Sequence, residues 1–150
     1  MFETLDEFDR KVAKAVIEAF PDWSGLATVE ESDGERAFVL SVMPPSHNVT
    51  YPLRIDTFGS EVTVSFEYYH AHFDEFADGT DQDAFTFAKK IVSGQCAVVS
   101  YWRDDEWCGS LLLDQGGIPT NNEEYPYANR IHIRSWTGAL DNDIKCIPRG

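Results

Sequence analysis

The side chains best suited to chemistry are two histidines, His70 and His72, at the end of the alternating stretch Glu61 to Asp74, EVTVSFEYYHAHFD. Imidazole and carboxylate are donors that suit zinc or iron, so His70, His72 and His132, with Asp74 or Glu75, form one reading, a divalent metal site in an enzyme or small-ligand binding protein. Residues two apart on a strand point to one face and can reach a common ion. The same spacing also serves imidazoles that bond to carbonyls or acids at a sheet's end, and that structural role is the expectation. No HExxH, G-x-S-x-G, P-loop or G-x-G-x-x-G pattern occurs in the chain, which leaves a hydrolase unsupported. Cys96, Cys108 and Cys146 are odd in number and lack C-x-x-C spacing, so they read as reduced thiols; a nucleophile would need a base or positive field beside it. No catalytic residue and no cofactor is assigned.

The strongest global feature is charge: 26 acidic against 12 basic residues, a formal net charge of -14. Such a chain repels nucleic acid and anionic membrane and attracts cations or a basic protein. Acidity that serves solubility alone is the ordinary alternative. No run approaches the ~20 apolar residues of a membrane span, and the acidic, amphipathic start MFETLDEF lacks a signal peptide's order, so the expected location is the cytoplasm. A length of 150 residues suits a single domain, 1–150, that needs neither metal nor disulfide to fold.

The elements that must position these side chains follow from periodicity. Thr4 to Glu7 forms a capping box before a helix over Leu5 to Phe20, with Leu5, Phe8, Val12, Val16 and Phe20 on one face and Asp9 among the residues of the other. Strands are predicted over Arg36 to Met43, Val49 to Thr57 and Glu61 to Asp74, the last placing both histidines on the face of Val62 and Val64. A second helix covers Asp81 to Ser93. Cys96 to Trp102 and Glu106 to Leu113 form a hairpin around Arg103-Asp104-Asp105, and Asn129 to Trp136 is the last strand, followed by a short tail. That strand carries Ile131 and Ile133 on one face and the chain's basic stripe, Arg130, His132 and Arg134, on the other. The stripe reads as cross-strand pairing with acids in preference to an anion site. The expected fold is α+β: one antiparallel sheet of about six strands in the order α-β-β-β-α-β-β-β, with two helices packed on one face.

Two irregular stretches concentrate acid. In FDEFADGTDQD, Asp74, Glu75, Asp78 and Asp81 crowd together, in an order that is not the EF-hand's. The long loop Asp114 to Tyr127 adds Glu123, Glu124, Tyr125 and Tyr127, and acid with tyrosine suits a protein contact surface. The segments VTVSFEYYHAHFDEF, CAVVSYWRDDEWCGSLLL and IHIRSWTGALDND, between Val62 and Asp143, resemble small bacterial immunity proteins of contact-dependent inhibition and other polymorphic toxin systems. The resemblance implies a stoichiometric binder that neutralises one cognate toxin, often a nuclease, and a toxin of that kind would be basic. It supplies no residue-level contacts. The eight residues Asp74, Glu75, Asp78, Asp81, Glu123, Glu124, Tyr125 and Tyr127 are the partner-binding candidates by chemistry and exposure; the sequence sets no oligomeric state.

Overall fold

Helix α1, Glu7–Ala19, begins where Asp6 caps it: the Asp6 side chain accepts the Asp9 N–H at 2.8 Å. Its buried face is Val12, Ala13 and Val16, and Pro21 opens a 3-10 segment that carries the chain out of it. The computed structural model describes residues 2–74 and 83–149. Nine strands follow among the described residues: β1 (Ala27–Ser32), β2 (Glu35–Val42), β3 (Leu53–Asp56), β4 (Val62–Phe66), β5 (Tyr69–Phe73), β6 (Cys96–Arg103), β7 (Glu106–Asp114), β8 (Arg130–Ser135) and β9 (Asn142–Lys145). Helix α2, Ala84–Val92, separates β5 from β6.

The α+β class and antiparallel pairing are as expected, but the single six-stranded sheet is corrected to two sheets. One has the order β1-β2-β3-β4-β5, the other β7-β6-β8-β9. Three strands escape the sequence pattern. β1 buries only Ala27 firmly, so it lacks alternation. β9 is a four-residue NDIK in what reads as a tail. The Glu61 to Asp74 stretch is two strands, because the chain turns at Glu67 and Tyr68 with Glu67 at φ +53°. The Val49 to Thr57 strand also shrinks, to Leu53–Asp56.

Close contacts divide the chain into two compact units. Met1–Met43, Pro52–Phe66 and His70–Lys89 make the first; Pro44–Tyr51, Glu67–Tyr69 and Lys90–Gly150 make the second. In the first unit, Val12 and Val16 join Phe38, Leu40, Ile55, Val62 and Val64 as fully buried apolar side chains. Burial at roughly 1.5–3 kcal/mol per such side chain is the main term opposing chain entropy. In the second unit, Ala97, Val99, Tyr101, Ala128, Ile131 and Ile133 form the core, and Leu111, Ile118, Tyr125 and Ile144 pack against it.

One residue departs from the helical pattern. Asp9, expected on the polar face, is 3% exposed, and its Oδ1 has no hydrogen-bond partner. Burial, then the nearby Asp6 carboxylate, pushes its pKa up to about 6, against a relieving hydrogen bond with Thr57. An acid whose pKa is higher folded than unfolded loses stability as pH rises between the two values, here from about 4 to about 6, and carries the full penalty above. Asp9→Asn should therefore gain roughly 2 kcal/mol at pH 7, with the gain vanishing near pH 4, as urea denaturation at the two pH values would measure.

Candidate functional site

The second unit is built on the register of its sheet. β6 pairs β8 with Trp102 opposite Arg130, Ser100 opposite His132 and Val98 opposite Arg134. β8 pairs β9 with Arg130 opposite Lys145 and His132 opposite Asp143, and β7 sets Trp107 opposite Trp102. Because side chains alternate, Tyr101, Val99, Ile131 and Ile133 turn to the core, and the other face carries Trp102, Arg130, His132 and Lys145 in cross-strand rows.

At one end of this sheet the β6–β7 hairpin closes through Asp104 and Asp105. Asp104 stands at φ +52°, a left-handed conformation that aspartate tolerates better than most residues. A reciprocal pair holds it: the Asp104 N–H donates to Asn129 Oδ1 at 2.9 Å, and Asn129 Nδ2 donates to Asp104 Oδ1 at 3.0 Å. Beside it, the Arg103 guanidinium lies 4.8 Å from the centre of the Tyr127 ring and donates to the Tyr127 carbonyl at 3.3 Å. The long loop is thereby tied to the hairpin turn. Asp104, Asp105 and Glu106 are exposed there, with Trp107 and Tyr127 each 53% exposed.

The loop is pinned from beneath by two side chains. Asn122, buried, shares the two N–H groups of Nδ2 among the carbonyls of Ala128 at 2.8 Å, Ile147 at 3.1 Å and Pro126 at 3.2 Å. Tyr125 lays its ring 4.5 Å from that of Tyr101 and directly over Gly109, where a Cβ would fall 2.6 Å from the ring. Only glycine fits under that ring.

Behind the hairpin turn is a cleft of about 260 Å³ lined by Thr50, Glu67, Tyr68, Ser100, Trp102, Asp104, Asp105, Arg130, His132 and Arg134. Carboxylates fix the irregular segment that brings Thr50 to it. Glu67 accepts the N–H of Thr50 at 3.0 Å and of Tyr51 at 3.3 Å, and Asp141 accepts from the Ser46 hydroxyl and from Asn48 Nδ2, both at 3.0 Å. Burial raises the Glu67 pKa, an effect that the Thr50 and Tyr51 N–H groups and then Arg134 only partly offset. Across the cleft His132 Nδ1 meets Asp143 at 2.6 Å and Arg134 donates to Asp143 at 2.8 Å. Burial opposes charge on Asp143, but the hydrogen bonds from His132 and Arg134 outweigh it and hold its pKa below the usual value.

No activated nucleophile accompanies this arrangement among the described residues. Cys96, Cys108 and Cys146 are unbridged, and burial raises the pKa of Cys96 and of Cys146, which disfavours thiolate. Of the residues in the metal reading, Glu75 lies outside the described residues. His70 and His72 are exposed on β5 with rings 5.2 Å apart, and His72 Nδ1 lies 2.9 Å from both Thr63 Oγ1 and Glu61 Oε1. His132 sits on the other sheet, engaged with Asp143. Among the described residues no group of three His, Cys, Asp or Glu side chains is placed to hold a metal ion.

The partner-binding candidates are distributed unevenly. Asp74 is exposed at the end of β5, whereas Glu75, Asp78 and Asp81 lie outside the described residues. Glu123, Glu124 and Tyr127 are exposed, and Tyr125 is largely committed to packing over Gly109. Asp104, Asp105, Glu106 and Trp107 escape selection from sequence, although the charged turn RDDEW between two strands marks them. No helix among the described residues is long and apolar enough to cross a membrane. No protein-family model matches the chain, and comparison with curated proteins and with solved structures returned no match.

Gly109→Ala should displace the Tyr125 ring and cost about 1–3 kcal/mol. Combined with Tyr125→Ala it should cost clearly less than the sum of the two single changes, as a double-mutant cycle in denaturant would measure.

Proposed function

We propose that this chain is an immunity protein: it binds a basic bacterial toxin domain, such as a nuclease, and neutralises it by occupying its functional surface. The observation that carries this reading is the exposed run Asp104, Asp105, Glu106 and Trp107 at the hairpin turn, which Arg103 ties to the exposed Tyr127. Exposed aromatics beside carboxylates are what a protein contact needs, since rings supply buried area and the acids complement a cationic partner. Glu123 and Glu124 extend the same loop and enlarge its acidic field. Support also comes from the net charge of -14, which speeds encounter with a positive surface. The reading requires no catalytic group and no cofactor, and its place of action is the cytoplasm.

Calorimetric titration against the toxin domain encoded beside its gene tests it. The expected result is a 1:1 complex that weakens as salt rises. Asp104→Asn/Asp105→Asn/Glu106→Gln should slow association about tenfold or more, and Trp107→Ala should mainly speed dissociation. Absence of binding to that toxin would overturn the proposal.

A further inference from the structure

Two cations in this acidic chain are placed at apparent cost. Arg130 and Lys145 face each other directly across β8 and β9, both exposed, and neither forms an ion pair or side-chain hydrogen bond among the described residues. Like charges opposite one another destabilise a sheet. The rest of the basic stripe behaves differently, since His132 and Arg134 are both engaged with Asp143.

Arg130 also separates two adjoining concavities. The cleft of about 260 Å³ offers the rings of Trp102, Tyr68 and His132, with Tyr68 set edge-on to Trp102 at 4.9 Å. A neighbouring hollow of about 550 Å³ offers Lys145 and Asn129, and Arg130, Asp104 and Asp105 line both. The Trp102 indole N–H is occupied by Ser100 Oγ at 2.9 Å, so that side chain offers its ring, edge-on to His132 as well at 5.8 Å, and no free donor. From Trp102 through Arg130 to Lys145 is two strand spacings, about 10 Å. A ligand matched to this row carries a planar ring at one end, an anion at the other and hydroxyl groups between, where Asp104 and Asp105 accept hydrogen bonds.

We propose that this groove binds a nucleoside monophosphate, with its base against Trp102 and Tyr68, its phosphate on Arg130 and Lys145, and its ribose hydroxyls toward Asp104 and Asp105. Guanidinium and ammonium are the side chains that bind phosphate most strongly, and base stacking on an aromatic ring tolerates any base. The groove shares Asp104 and Asp105 with the surface proposed for the toxin, but it does not rest on that reading, because the chain alone suffices to test it.

The experiment is calorimetric titration of the full chain, at low salt, with AMP, GMP, CMP and UMP, and with adenosine and inorganic phosphate as partial probes. Expected is saturable 1:1 binding of at least one mononucleotide, about tenfold tighter than adenosine or phosphate alone. Arg130→Gln/Lys145→Gln should weaken it about tenfold or more while the far-ultraviolet circular dichroism stays unchanged, both substitutions being at exposed positions. No binding of any mononucleotide at millimolar concentration, or equal binding by the double variant, would overturn the proposal. A short 5′-phosphorylated RNA distinguishes the source of the nucleotide: binding no tighter than the mononucleotide assigns the free ligand, and much tighter binding rejects that assignment.

Discussion

The reciprocal bonds between Asp104 and Asn129 are the constraint on which the proposed contact surface depends. Without them the turn between β6 and β7 would carry a left-handed aspartate with no compensating partner, and the long loop would have one fewer tie to the sheet. Asn129 is itself fixed at the start of β8: its N–H donates to the Trp102 carbonyl at 2.8 Å, and its own carbonyl accepts from Cys146 at 2.9 Å. One asparagine thus links three parts of the chain. Asp104 at the hairpin turn is held by it, which is how sheet register reaches the surface.

Carboxylates withdrawn from water differ in how they are satisfied. Glu67 and Asp141 lose hydration but recover it through backbone and side-chain donors from Pro44–Tyr51 and β8, so they order an irregular segment that has no ladder of its own. Asp9 lies buried with one oxygen unmatched, and its raised pKa expresses that deficit. The difference is the supply of donors at each position: loop and strand-end N–H groups turn toward Glu67 and Asp141, as the Phe58 N–H does toward Asp56, and those around Asp9 are engaged in the helix and sheet.

Much of the second unit was legible in the sequence. The hairpin of Cys96 to Leu113 and the alternation of Arg130 to Ser135 fall within a residue or two of their positions, because one face is fully apolar and the turn is charged. The Glu61 to Asp74 stretch misled for a physical reason. Its turn is made by Glu67 and Tyr68, neither a turn-forming type, and Glu67 adopts a left-handed φ that its hydrogen bonds to Thr50 and Tyr51 compensate. Reading through that turn kept His70 and His72 on the buried face, whereas both are exposed on a separate strand. β1 and β9 stayed hidden because short polar strands bury too little to alternate. The acidic turn Asp104 to Glu106 was visible as a turn but not as a site, since its union with Tyr127 depends on Arg103 reaching across to the loop.

An acidic binder needs no active site; it needs an exposed surface of complementary charge, and the proposal assigns that part to this end of the sheet. Amide hydrogen exchange of the chain, free and saturated with the toxin domain proposed as its partner, tests that claim most directly. The account predicts new protection concentrated at residues 103–107 and 123–129, with β1 and β2 unchanged. Protection confined to the first unit, with the hairpin turn and loop exchanging as in the free chain, would contradict it.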